Sequence, residues 1–128
     1  MSYYYPEYVR LNTAAGTADT VAICFHERVE VVAAKVVDVG GIAADPSNYA
    51  TFQVLGNDKT TALFQWATLN TAEGALTALQ SEDLVNQGAN DKAVFEAGQS
   101  VIVKVLKAAS GKATNTTICL QVRQARKY

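Results

Sequence analysis

His26 is the sole histidine of the chain, and Glu27 follows it directly. A histidine beside a carboxylate is the pairing a general base and its orienting partner would use. Adjacent residues of a strand point to opposite faces, so the two would not meet if both lay on one. A surface histidine at a strand end is the better reading, and one histidine cannot build a His-based metal cluster. Glu82 and Asp83 are adjacent and Asp91 lies further on, but the spaced oxygen ligands of a calcium loop are absent. Cys24 and Cys119 have no CxxC or Cys/His neighbour, which argues against zinc. Each is out of phase with the apolar residues around it. Pairing of the first and last strands could bring them together, but a chain of this length needs no disulfide, and two small free thiols are the expectation. Gly40, Gly41 and Gly56 read as turn glycines rather than a phosphate cradle. Ser47, Ser81, Ser100 and Ser110 lack a nucleophile-elbow context. The expectation is a chain with no catalytic residue, no metal and no cofactor.

The residues suited to contact rather than reaction are aromatic and basic. Tyr3, Tyr4, Tyr5 and Tyr8 crowd residues 1–12, with Pro6 among them. Proline fixes φ and lacks a donor, so this stretch is an extended arm and not a helix. Tyrosine is amphipathic and common at interfaces. The arm either docks on a neighbouring subunit or folds over its own core. Exposed tyrosines, Tyr49 included, could stack on a sugar; Trp66 fits the core better. Charge is uneven along the chain. Residues 1–100 hold five bases and all twelve acids, whereas residues 101–128 hold six bases and no acid. The late strands then either lie beside acidic strands of the same molecule, which we favour, or offer a basic edge to an acidic neighbour. The net charge of −1 speaks against nucleic-acid binding, which calls for a basic excess. The expected partner contacts are Tyr3, Tyr4, Tyr5 and Tyr8 of the arm and Arg123, Arg126 and Lys127 of a basic tail at 123–128.

The elements that must carry these residues are strands. At 128 residues the chain is expected to be one domain over 1–128, burying roughly two thirds of its unfolded surface. Charged residues are only 18% where about 25% is usual, so some apolar surface is expected to be covered by a partner or by further copies. The start has no basic segment followed by an apolar one, and no run reaches membrane-spanning length, so neither a signal peptide nor a membrane partner is expected. The organising stretch is 94–107. Gly98 permits a bend, and Val101, Val103 and Val105 then share one strand face. Val21, Ile23 and Phe25 alternate before it. Residues 29–39 are apolar on both faces, which marks a central or bulged strand. Residues 49–55 and 60–68 form a hairpin about Gly56-Asn57-Asp58-Lys59, with Ala50, Phe52 and Val54 facing Ala62, Phe64 and Trp66. Residues 69–90 are ambiguous between a short helix capped at Asn70 with Glu73 and a short strand at 76–79. Ile118, Leu120 and Val122 line the last strand. About eight short strands with little helix predict an all-β fold, an antiparallel β-sandwich or jelly-roll-like domain with an extended N-terminal arm.

The order of Glu30-Val-Val-Ala-Ala-Lys-Val-Val-Asp-Val, the Phe52 and Phe64 hairpin, Leu76 to Leu79, Phe95-Glu-Ala-Gly98-Gln-Ser-Val-Ile-Val and Ile118-Cys-Leu-Gln-Val-Arg resembles β-sandwich structural proteins of tailed bacteriophages. The resemblance spans roughly residues 20–124 and is strongest to head decoration, or capsid cement, proteins. It implies a non-enzymatic virion component made in the host cytoplasm and placed on the capsid exterior. It further implies a homo-oligomer bound to the major capsid protein or another virion protein. The other readings are a tail or fibre module of a virion, and a carbohydrate-binding β-sandwich module.

Overall fold

The computed structural model describes residues 4–68 and 74–125. Among these residues ten strands run antiparallel in two sheets: β1 (Tyr4–Thr13), β2 (Asp19–Cys24), β3 (Val29–Asp38), β4 (Ala50–Leu55), β5 (Ala62–Ala67), β6 (Glu82–Asp83), β7 (Val85–Asn86), β8 (Val94–Phe95), β9 (Ser100–Lys107) and β10 (Thr114–Gln124). Among the described residues the one helical piece is a 3-10 turn, Asn90–Lys92. The first sheet has the order β1-β10-β3-β6, with β8 also on β3; the second has the order β2-β9-β4-β5-β7.

This order follows from one long hairpin rolled up. The strands pair in nested fashion: β1 with β10, β2 with β9, β3 with β8, β4 with β5. Rolling that ribbon adds the pairs β3·β10 and β4·β9 and separates the two sheets. The result is a jelly roll. β6 and β8 are two pieces of one interrupted strand along β3, meeting it at Lys35–Val36 and at Val29–Glu30. The excursion between them sends β7 to the far edge of the second sheet, beside β5. Residues 82–95 therefore close one side of the sandwich.

Period-two patterning builds the core. Val101, Val103 and Val105 of β9 are fully buried, as are Phe52 and Val54 of β4 and Ile118, Leu120 and Val122 of β10. Gly98 takes φ +83° in the turn before β9, a conformation that strains other residues. β3 resolves its two-faced pattern with a bulge. Gln121 pairs with Ala33 but Val122 pairs with Val31, leaving Val32 as the extra residue. The buried parity thus switches from Val29 and Val31 to Ala34 and Val36. A second register shift, at Val54/Leu55, lets both Leu63 and Phe64 be buried. Gly41 has φ +75°, and a Cβ there would sit 2.9 Å from Leu76 O and Ala78 N. The close approach permits the isolated bridge Ile42–Leu76; the expected strand at 76–79 is reduced to that bridge. The capping pair Asn70 and Glu73 lies outside the described residues.

Two expectations about the ends change. The segment anticipated as an arm is extended, but residues 4–13 are a full strand in register with β10. Its Val9 and Leu11 are buried, so this part of the segment covers its own core. Pro6 is accommodated because β1 is an edge strand with one neighbour. The basic tail begins later than expected, since Arg123 and Gln124 are the last residues of β10. That strand starts at Thr114, where Thr114 and Thr116 are buried and satisfied. Thr114 Oγ1 donates to Leu11 O (3.2 Å), and Thr116 Oγ1 donates to Asp38 Oδ1 (2.7 Å).

Candidate interaction surfaces

β1 alternates, and that alternation splits the tyrosine cluster. Tyr5 lies on the side of Val9 and Leu11. It packs partly against the core and meets the Phe25 ring edge-on, with centroids 6.3 Å apart and planes at 67°. Burial, with Glu27 nearby, pushes its hydroxyl pKa up. Tyr8 has the opposite parity and is 62% exposed. Tyr4 opens β1 opposite Arg123. Tyr3, Arg126 and Lys127 lie outside the described residues. The sequence-predicted contacts thus do not form one patch among the described residues; Tyr8 is the member turned to solvent.

Arg123 is engaged within the molecule. Its Nε donates to Glu30 Oε1 at 2.8 Å and its Nη2 bonds the same oxygen, from the register-paired position on β3. Arg28 pairs with Glu96 (3.0 Å) and Lys35 with Asp83 (2.6 Å). For Arg123, the late base does lie beside an acidic strand of its own molecule. Hydrogen bonding to Asp83 raises the Lys35 pKa.

The outer face of the first sheet is therefore built of charge pairs and one groove. The row Tyr8, Cys119, Lys35 and Asp83 runs across four strands, and Arg10 reaches Asn115 Oδ1 at 2.6 Å. A groove of about 300 Å³ is lined by Tyr5, Pro6, Ala33, Lys35, Cys119 and Gln121, with Leu120 at its floor. A second, open cleft lies where β1 meets the turn after β2, lined by Tyr5, Glu7, Phe25, His26 and Glu27, with Cys24 at its margin. His26 and Glu27 share that cleft because they sit in a turn, where the alternation of a strand does not hold. Gln124 Nε2 donates to Glu27 Oε2 at 2.5 Å. No group of three or more His, Cys, Asp or Glu among the described residues could hold a metal. The cysteines are free. The first and last strands do pair, but Cys24 belongs to β2 in the other sheet.

No protein-family model and no curated protein matches the chain. Solved structures of similar outline exist. A structure of Desmodium yellow mottle tymovirus aligns over 100% of this chain and 90% of its own, at 9% identity and TM-score 0.46. The acidic stable capsid of Helicobacter pylori bacteriophage KHP30 aligns over 99% and 94%, at 12% identity and TM-score 0.46. The capsid asymmetric unit of cyanophage Pam1 aligns over 98% and 84%, at 10% identity and TM-score 0.46. At these identities no residue role carries over to this chain.

The outer face of the second sheet was not legible as a surface in the sequence, and it is of a different kind. Its middle row reads Thr20, Lys104, Gln53, Gln65 and Val85 across the five strands. Gln53 Nε2 donates to Gln65 Oε1 at 2.8 Å. The row on one side has Ala22 opposite Ile102, and the row on the other has Leu106, Thr51 and Ala67. Leu106 is 40% and Val85 57% exposed. The one signal in the sequence was Ile102 and Leu106 sitting out of phase with the buried valines of β9.

Proposed function

We propose that this chain is a non-enzymatic structural protein of a virus particle, one that binds and reinforces a bacteriophage capsid. The observation that carries this reading is the nested strand pairing. It makes the described residues, 4–68 and 74–125, one jelly roll over the region that resembles phage decoration proteins, and viral capsid domains are among the proteins built that way. A fold hosts many functions, so composition supplies the second support. The charge content is low, and a broad sheet face carries almost no charge, as expected of a surface that is covered in an assembly. The mechanism is mass action: a subunit that binds the assembled shell and not its dissociated parts stabilises the shell. In this reading Tyr3, Tyr4, Tyr5, Tyr8, Arg123, Arg126 and Lys127 are candidates for lateral contacts with neighbouring subunits, Tyr8 being the one turned to solvent.

The test is co-sedimentation of the purified protein with phage heads that lack it, together with the melting temperature of those heads. Binding with a raised melting temperature is expected. Protein that stays in the supernatant and heads that melt unchanged would remove the capsid role. Recovery in isolated tails instead would move the protein to a tail or fibre. The groove beside Tyr5, Pro6, Lys35 and Gln121 favours one further reading, a glycan-binding module, since jelly rolls also include lectin domains. In that case the isolated domain would bind polysaccharide, and Tyr5→Ala would abolish the binding.

A further inference from the structure

We infer that the outer face of the second sheet is the docking face, and that its occupant is the surface of a different protein, apolar and carrying one carboxylate placed to meet Lys104. This deepens the virion reading and rests on it. The two sheets of one sandwich have been solvated differently. The first presents Glu30 with Arg123, Lys35 with Asp83, and Arg10. The second, along its five strands, presents alanine, threonine, glutamine and the apolar Ile102, Leu106 and Val85, with Lys104 as the charge among its outward strand residues. Depletion of charge with retained apolar area marks the centre of an interface.

Lys104 selects the occupant. It makes no ion pair with any described residue, and covering an ammonium without a counter-charge costs several kcal/mol. The covering surface must therefore bring a carboxylate. A second copy meeting this one face to face would bring another Lys104 and no acid. Area argues the same way. Four strands of six to eight residues and the two-residue β7, about 4.8 Å apart, give roughly 20 by 20 Å, or about 400 Å². A stable pair needs about 800 Å² from each side. Two flat copies would fall short, whereas a larger partner can reach past the rim of the sheet.

The experiment uses the full chain and heads lacking it, and measures affinity against salt. Leu106→Asp, at an exposed position, and Ile102→Asp are each expected to weaken docking about a hundredfold, and Lys104→Glu at least about tenfold. Lys104→Met leaves the partner's carboxylate covered without its counter-charge, so it too should weaken docking at least about tenfold, and what binding remains should lose its salt dependence. Arg10→Glu makes the same charge change on the first sheet and should bind like the wild type. Circular dichroism and melting temperature confirm that each variant is folded. If the wild-type chain does not bind heads, the virion reading itself has failed. If it binds and folded Leu106→Asp and Lys104→Glu bind equally well, the docking face is elsewhere. If the free protein sediments as a dimer that Leu106→Asp splits, the occupant is a second copy and the inference is overturned.

Discussion

Asp38 shows what a single residue contributes to this sandwich. Its carboxylate is 2% exposed, yet three donors satisfy it. Asn115 N (2.9 Å) and Thr116 Oγ1 (2.7 Å) reach Oδ1, and Gly40 N (3.2 Å) reaches Oδ2. It thereby ties the end of β3 to the start of β10. Asp38→Ala leaves those groups without their acceptor and should cost about 2–3 kcal/mol in urea unfolding; a change under about 0.5 kcal/mol would contradict this account. Lys107 does similar work next door, donating to Thr13 Oγ1 (3.0 Å), Ala14 O (3.3 Å) and Lys112 O (2.5 Å). Burial holds its pKa down. Two aspartates, the exposed Asp58 and the half-buried Asp45, contribute to the acid response. The Thr61 hydroxyl and the Thr61 and Thr60 N–H groups hold the Asp58 pKa far below the usual carboxylate value, and Ser47 and Asn48 N–H groups lower that of Asp45. Both pKa values are depressed in the folded state. Their stabilisation is therefore complete above pH ~4 and is lost as pH falls through the folded-state values. Asn at both positions keeps an acceptor but cannot titrate. The Asp45→Asn, Asp58→Asn double variant should lose less stability than wild type between pH ~4 and ~2, read from thermal melts at each pH.

At the scale of elements, the instructive strand is β1. Its tyrosines invite a reading as a free arm, but Val9 and Leu11 insert between the sheets and Thr13 Oγ1 lies 2.6 Å from Thr114 Oγ1. Leu11→Ala should cost about 2–5 kcal/mol, the range for emptying a buried leucine site. Deleting residues 1–12 removes an entire strand and uncovers β10, so it should yield a chain with no cooperative melt. A truncated chain that melts like the parent would show that β1 is dispensable. The hairpin β4–β5 behaves as its sequence implies, because its turn signal and its inward Phe52 and Phe64 are local. The β6–β8 segment does not. Two-residue strands carry no periodicity to read, and their pairing is set by the β3 backbone they meet.

For the whole molecule, the consequence is two faces of unlike chemistry on one sandwich. The first sheet is finished with internal ion pairs; the second is nearly neutral and holds Lys104, which has no ion-pair partner among the described residues. Such a body is suited to sit on something, and the docking experiment above belongs to this scale. The nested pairing also makes the earliest and latest strands neighbours, with Thr13 against Thr114. The first sheet is not joined until the last strand has arrived, because β10 lies between β1 and β3.

The chain's own order of residues was enough to establish that this is an all-β molecule, where most strands run, which valines and aromatics face inward, and that Gly98 turns before β9. Those features depend on neighbours a few positions away, through alternation and turn chemistry. Tertiary structure alone decided the sheet order, the bulge at Val32, the inclusion of β1 in the core, the burial of Asp38 and the neutrality of the second face. Each of these depends on residues from some 20 positions apart, as Gln65 and Val85, to over 100 positions apart, as Thr13 and Thr114, being brought side by side, and the pattern within a single strand does not encode which strand will lie beside it.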